Sequence, residues 1–160
     1  MDALDPKIIE ILNDVLCTEL TAINQYFLHA EMCGDWGYER LYKKIRKESI
    51  DEMKHAEQII ERILFLNGVP NVQKLGNIKI GENVEEQLTV DLALEKEAIP
   101  RLNEGIKICS DLGDNGTRHL LEGILESEEE HVDWIEAQLD QISQLGIANY
   151  LAQQVKDEGS

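Results

Sequence analysis

Four long segments of this chain space their apolar residues by three and four, as on one face of an α-helix, and a glutamate interrupts each apolar stripe near its middle. The four glutamates are Glu19, Glu52, Glu95 and Glu128. A charged side chain at a core position is costly unless a partner of opposite charge compensates it. The chain must therefore fold so that four helices share one core and these carboxylates meet inside it.

The glutamates belong to a motif that occurs twice. Glu52 begins a Glu-x-x-His that ends at His55, and Glu128 begins a second one that ends at His131. A lone glutamate precedes each motif by 33 residues, and every member of the first set recurs 76 positions later. One Glu-x-x-His on an acidic helix is common by chance, but a doubled set in phase on four helices predicts a dinuclear metal site. The alternative is a hydrogen-bonded polar network without metal.

The residue types indicate which metals such a site would take. Residues i and i+3 lie on one helix face, so each Glu-x-x-His offers two ligands to the same side. Two divalent cations would balance four buried carboxylates, which are too costly to bury alone. Mixed carboxylate and imidazole ligation suits iron or manganese and excludes an all-thiolate zinc site. The predicted ligands are Glu19, Glu52, His55, Glu95, Glu128 and His131.

Start and stop signals divide the chain into helices. They predict helices over about residues 6–33, 39–66, 83–112 and 117–145, followed by a short one over about 147–155. Asp5 and Pro6 form an N-cap and first helical position, and Asn83 with Glu86 forms a capping box. Short turns after the first and third helices predict two antiparallel hairpins. The long connection NGVPNVQKLGNIKIGE can cross the bundle and form at most a short extended stretch over it.

These lengths predict an all-α fold, a ferritin-like four-helix bundle with one long crossover connection and a short fifth C-terminal helix. We expect residues 1–160 to form a single domain. Pro100 lies inside the third predicted helix and removes the hydrogen bond to the Lys96 carbonyl, so a local kink is expected there. That kink could help to aim Glu95 or have no functional role.

Composition limits the classes of function. The chain has 32 acidic and 15 basic residues and a net charge of −17, which argues against nucleic-acid binding. The charge permits attraction of cations, or serves only as a solvated acidic surface. Three cysteines without a C-x-x-C pair suit a reducing compartment and are expected to pack as free thiols. We find no signal peptide and no segment that approaches a membrane span, and therefore expect a cytoplasmic protein.

Three further side chains stand out near the predicted ligands. Tyr26 lies two turns after Glu19 on the same helix face, where it could hydrogen-bond a ligand, supply an electron or simply pack as a core tyrosine. His29 and His119 lack partners comparable to those of the predicted ligands, and we expect them to be structural or exposed.

The stretches LTAINQYFLHAEM, ESIDEMKHAEQIIERILFLNGVPN and EEEHVDWIEAQLDQI closely resemble bacterioferritins, and the resemblance covers essentially the whole chain. It implies a hollow twenty-four-subunit shell that oxidises Fe²⁺ with O₂ or H₂O₂ and stores Fe³⁺ as a mineral. The ferroxidase ligands of that family fall on the six residues named above, with Glu52 and Glu128 as the bridging pair. A ferredoxin-type reductant would serve iron release.

Met53 follows Glu52, and one residue turns an α-helix by about 100°, so its side chain faces the flank of the bundle. From the residues alone it is a surface or interface methionine. In bacterioferritins a methionine at this place, from each of two subunits, binds a haem at the twofold interface. The resemblance therefore implies that Met53 is a haem ligand, and it leaves the porphyrin type open.

One position departs from the family pattern. Some bacterioferritins have a histidine at the place of Lys47, paired with an aspartate equivalent to Asp51 at an inner-surface iron site. A protonated lysine does not bind iron readily. The departure argues against such an inner site here and favours iron passage through the dinuclear centre.

Two other functions are compatible with the sequence. A di-iron oxidase or peroxidase would turn over without storing mineral, although rubrerythrin-like proteins of this kind typically add a C-x-x-C iron module that this chain lacks. A metal-free structural bundle would use the same apolar stripes.

Overall fold

The computed structural model describes residues 1–156, and this part of the chain contains five α-helices and no β-strand. The helices are α1 (Pro6–Asp35), α2 (Glu39–Phe65), α3 (Val84–Leu112), α4 (Asn115–Leu145) and α5 (Ile147–Ala152). The predicted all-α class and the fifth C-terminal helix are confirmed. α5 ends at Ala152, three residues before the predicted boundary. The end of the predicted domain, residues 157–160, lies outside the described residues.

Side-chain caps fix where the helices begin. The Asp5 carboxylate accepts a hydrogen bond from the Lys7 N–H at 2.8 Å, and Asn83 accepts one from the Glu86 N–H at 2.9 Å, so both predicted N-caps are confirmed. The Glu86 carboxylate accepts from the Glu82 N–H at 2.8 Å and not from Asn83, so the second bond of the predicted capping box is made one residue earlier. α4 begins two residues earlier than predicted. Its cap is Asp114, which follows directly on the left-handed glycine that ends α3. An aspartate at the N-cap satisfies an otherwise unpaired helical N–H, so the helix starts beside it.

The long connection, residues 66–83, runs along α1. Its backbone contacts α1 side chains in the order Asn13, Thr21, Gln25 and His29, which covers about 24 Å of the helix. The connection therefore begins near the start of α1 and reaches α3 near the end of α1. As a result α2 and α3 run in the same direction, and the predicted crossover is present as an extended segment without strand pairing.

Two apolar clusters fill the bundle, one toward each end. Burial of a Leu or Ile side chain stabilises a fold by about 1.5–3 kcal/mol, so these clusters supply most of the driving force. The first contains Ile8, Leu12, Leu16, Ile59, Ile63, Leu102, Leu121 and Ile124. The second contains Tyr26, Ala30, Leu41, Ile45, Leu88, Ile135, Ile142 and Tyr150. A polar layer lies between them, in the middle of the long helices.

Within residues 1–156, no helix is both long enough and apolar enough to cross a lipid bilayer. Pro100 lies on the exposed side of α3, and the helix continues through it.

Candidate metal centre

The structure brings all six predicted ligands together in the central polar layer. Every long helix contributes, because each ligand replaces an apolar residue on the inner stripe of its helix. The contributions are Glu19 from α1, Glu52 and His55 from α2, Glu95 from α3, and Glu128 and His131 from α4. Five of the side chains are buried, and the His55 side chain is 12% exposed.

The six residues form two overlapping groups whose ligand atoms lie within 4.8 Å of one another. One group is Glu19, Glu52, His55 and Glu128, and the other is Glu52, Glu95, Glu128 and His131. Glu52 and Glu128 belong to both groups. A carboxylate has two oxygens, so these two residues could each serve two cations.

Several atoms of the layer are buried without a hydrogen-bond partner among residues 1–156. They are one oxygen each of Glu19 and Glu95, both oxygens of Glu128, and Nδ1 of His55. This nitrogen lies 3.5, 3.5 and 3.4 Å from carboxylate oxygens of Glu19, Glu52 and Glu128, too far for normal hydrogen bonds. A buried polar atom left unpaired costs about 1–3 kcal/mol. These oxygen and nitrogen atoms are therefore better suited to binding cations than to forming hydrogen bonds with one another.

When no cation is bound, the electrostatics of the layer favour protonation of its carboxylates and histidines. Burial raises the pKa of Glu95 to about 8, helped by Glu128, and burial also raises the pKa of Glu52 and of Glu128. Burial lowers the pKa of both histidines, but the neighbouring carboxylates outweigh it and bring His55 to about 10 and His131 to about 9. Cations that bind here must displace protons.

Tyr26 is fully buried beside the layer. Its hydroxyl donates a hydrogen bond to Glu95, and its ring packs edge-on against His131 with centroids 5.1 Å apart. Burial and the charge of Glu95 raise the pKa of Tyr26 well above its usual value, so the phenol stays protonated. The same oxygen of Glu95 lies 3.2 Å from Nδ1 of His131. Tyr26 thus helps to fix a predicted ligand, one of the roles that the sequence left open.

A second layer of polar residues was missed from the sequence. Glu48 is buried, lies 3.8 Å from Nδ1 of His131, and accepts a hydrogen bond from Lys44 at 2.9 Å. The Trp134 ring stacks on the His131 ring, with centroids 6.2 Å apart. The sequence offered only a weak signal: Glu48 precedes Glu52 by four residues and so shares its helix face.

A buried network also connects α1, α3 and the crossover. Nδ1 of His29 and the amide of Gln25 both donate to one oxygen of Asp91, at 2.9 and 2.8 Å. Nε2 of His29 accepts the Gly81 N–H at 3.0 Å. The expectation that His29 lacks comparable partners is therefore wrong. Its structural role is clear, because it joins two helices to the loop, whereas His119 is exposed as expected.

Met53 and Lys47 lie on the outside of α2. The Met53 side chain is 53% exposed, next to the buried Glu52, so it is available to another molecule. Nζ of Lys47 lies 2.9 Å from Asp51, and this hydrogen bond raises the pKa of Lys47. The lysine stays protonated and offers no lone pair to a metal ion. The three cysteines are buried free thiols, as expected.

A model of the ferritin-like domain family matches residues 9–145, from the first turns of α1 to the end of α4. This match defines the class of protein and agrees with the crossover topology described above.

Comparison with similar proteins identifies the family within this class. The chain is 48% identical over 149 residues to the bacterioferritin of Mycobacterium leprae (strain TN), which covers 93% of this chain and 94% of that protein. It is 47% identical over 146 residues to the bacterioferritin of Brucella melitensis, covering 91% of each chain. It is also 47% identical over 148 residues to the bacterioferritin of Streptomyces coelicolor, covering 92% of this chain and 89% of that protein. The chain belongs to the bacterioferritin family.

Proposed function

We propose that this protein stores iron and oxidises it at the central polar layer. The observation that carries the proposal is the pair of overlapping ligand groups, which share Glu52 and Glu128 and leave buried donor atoms unpaired. Four carboxylates balance two divalent ions, and two-metal sites typically hold their ions about 3.5–4 Å apart. Glu19, Glu52, His55, Glu95, Glu128 and His131 would bind the Fe²⁺ substrate.

The reaction is a ferroxidation. Two Fe²⁺ ions give two electrons to O₂, which takes up two protons and leaves as H₂O₂; with H₂O₂ as oxidant, two protons are taken up and two waters leave. The protein holds both Fe²⁺ ions in one layer, so the two electrons are delivered together. Protons displaced from the layer as Fe²⁺ binds are available nearby, and Tyr26 keeps Glu95 in position.

Fe²⁺ would reach the layer past His55. A surface depression of about 410 Å³ is lined by Asp51, Lys54, His55 and Gln58 of α2 and by Gly123 and Ser127 of α4. His131 lies at the buried side, between the rings of Tyr26 and Trp134. Of the two histidines, His55 is the one that could turn aside to open a path, because its side chain is partly exposed.

Stopped-flow absorbance after addition of Fe²⁺ to iron-free protein tests this proposal. We expect a rapid oxidation phase in the unchanged protein and its loss in Glu128→Ala and in His131→Ala. Glu129→Ala is the matched control, because Glu129 is the exposed neighbour of Glu128 on α4. A rapid phase that survived both ligand substitutions would refute the assignment.

Storage requires a shell. We propose a twenty-four-subunit homo-oligomer in which residues 1–160 form one ferritin-like domain, with mineral inside and a ferredoxin-type reductant for iron release. Free buried thiols agree with a reducing, cytoplasmic location. Size-exclusion chromatography of iron-loaded protein decides between this and a di-iron oxidase without storage. A storage shell elutes far above 18.2 kDa together with its iron, whereas iron eluting apart from a monomer or dimer would favour the oxidase.

Met53 is the proposed haem ligand at a twofold interface of the shell. Its support is the exposed thioether beside the polar layer and the methionine found at this place in bacterioferritins. We expect purified protein to show a Soret band that disappears in Met53→Leu. An unchanged band in that variant would mean that another residue binds the haem.

A further inference from the structure

A surface cavity of about 410 Å³ next to the polar layer is lined by several basic side chains. Its walls include Arg40, Lys43, Lys44 and Lys47, together with Trp134 and four glutamines. Four of the fifteen basic residues of the chain thus line one cavity, in a protein whose net charge is −17. Within residues 1–156, no aspartate or glutamate is part of this lining.

Helical phase explains how this lining arises. Positions 40, 43, 44 and 47 of α2 are spaced by three, one and three, so their side chains share one face of the helix. Gln138 and Gln141 lie one turn apart on α4 and face the basic stripe. The segment after α5 closes the end of the cavity, where the Arg40 N–H donates a hydrogen bond to the Gln154 carbonyl at 3.0 Å.

The lining is rich in hydrogen-bond donors. Lys44 donates to Glu48 and Lys47 donates to Asp51, each at 2.9 Å, but an ammonium group carries three N–H donors. The guanidinium and glutamine amides add further donors. Positive charge combined with many donors is the chemistry that binds phosphate oxygens. We propose that this cavity binds a phosphate-type oxyanion, either inorganic phosphate or the groups of a condensed phosphate chain.

Two contacts connect the cavity to the central polar layer. Trp134 forms part of its wall and stacks on His131, while Nζ of Lys44 lies 5.4 Å above the Trp134 ring. Lys44 also holds Glu48, which lies 3.8 Å from His131. If the proposed ferroxidase function holds, an oxyanion bound here lies beside the place where Fe³⁺ forms and attracts it by charge.

Isothermal titration calorimetry of the iron-free, full-length protein with inorganic phosphate tests the binding site alone. We expect saturable binding of about one phosphate per subunit. The double variant Lys43→Gln/Lys44→Gln should bind at least about tenfold more weakly, because it loses two charge-assisted contacts. The control Lys7→Gln/Lys107→Gln removes the same charge from exposed positions outside the cavity and should bind as the unchanged protein does.

A second variant keeps every lysine. Gln138→Glu preserves the oxygen that accepts the Tyr150 hydroxyl at 2.7 Å and places a carboxylate in the cavity wall, so phosphate binding should be lost without loss of the fold. Absence of saturable binding to the unchanged protein would overturn the proposal, as would equal weakening in both double variants or undiminished binding in Gln138→Glu. Titration with tripolyphosphate distinguishes the sources, since a condensed chain should bind much more tightly than the free ion if it is the intended ligand.

The phosphate measurement contains no iron, so its failure would leave the ferroxidase proposal untouched. Conversely, loss of rapid oxidation in Glu128→Ala should leave phosphate binding intact. Each proposal can therefore be refuted without refuting the other.

Discussion

The polar layer should give this protein opposite pH dependences with and without bound metal. In iron-free protein the folded state holds protons that the unfolded chain releases, because the pKa of Glu95 rises from 4.5 to about 8 and those of His55 and His131 rise from 6.5 to about 10 and about 9. A group whose pKa is raised by folding loses its stabilising contribution as the pH rises from the unfolded toward the folded value. Stability must fall over that window.

The size of the change in stability depends on how many more protons the folded state holds than the unfolded state. One extra proton held by the folded state changes the free energy of unfolding by 1.36 kcal/mol per pH unit. For Glu95 alone, the interval from about pH 5.5 to about 8 gives a loss of about 3 kcal/mol. His131 belongs to the same coupled pair, because Glu95 is the main cause that raises the pKa of His131, so it does not add a separate loss. Divalent cations bind only the deprotonated ligands, so saturating Mn²⁺ or Co²⁺ should make stability rise with pH over the same interval.

Urea unfolding at a series of pH values, at fixed protein concentration and with a chelator present, measures this slope. Glu95→Gln removes one titrating group and should flatten it, whereas Glu97→Gln, at an exposed position two residues away, should leave it unchanged. A metal-free stability that stays level or rises between pH 5.5 and 8 would refute the reasoning. So would a slope that Glu95→Gln leaves intact.

Two further predictions concern the connections of the bundle. Asp114→Ala should lower the free energy of unfolding by about 2–4 kcal/mol, because it removes the cap of α4 and the charged hydrogen bond from Arg62 at 3.0 Å. Urea denaturation measures this loss. The control Asp111→Ala, at an exposed position, should change the free energy of unfolding little in the same titration. His29→Leu should speed amide exchange at Gly81 and its neighbours in the crossover, as measured by hydrogen-exchange mass spectrometry, while exposed His119→Leu should not; equal protection in both variants would mean that His29 does not hold the loop.

Helical period predicted most of the fold because the four long helices carry strong apolar stripes. Boundaries were less accurate at the turn before α4, where no cap was assigned from the sequence and the start was predicted near residue 117. The Asp114 cap starts the helix at Asn115 instead. The crossover was predicted from length alone. Its path along α1 depends on side chains at Thr21, Gln25 and His29, whose partners are backbone groups more than 50 residues away.

The six candidate ligands could be predicted from the sequence because a charged residue on the apolar inner face of a helix is unusual, and the doubled spacing relates four such residues. The buried polar residues next to the predicted ligands could not be identified from spacing. Glu48 and Asp91 lie one turn before a predicted ligand, but an acidic residue at that spacing is common in a chain this acidic. Only the packing shows that Glu48 faces His131 and that Asp91 faces His29. Haem binding at Met53 stays a prediction.

The basic cavity shows why net charge is a poor guide to local chemistry. A charge of −17 is a sum over the whole chain, and it conceals a stripe in which Arg40, Lys43, Lys44 and Lys47 recur with helical period. Interactions between exposed charges fade beyond about 8–10 Å at physiological ionic strength, so distant carboxylates contribute little to the potential inside the cavity. The charges close to the cavity decide which ion enters, and these include Glu48 and Asp51, which pair with Lys44 and Lys47. If both proposals hold, one acidic bundle binds cations in its central layer and an oxyanion in the adjacent cavity, with Glu48 and Trp134 between the two sites.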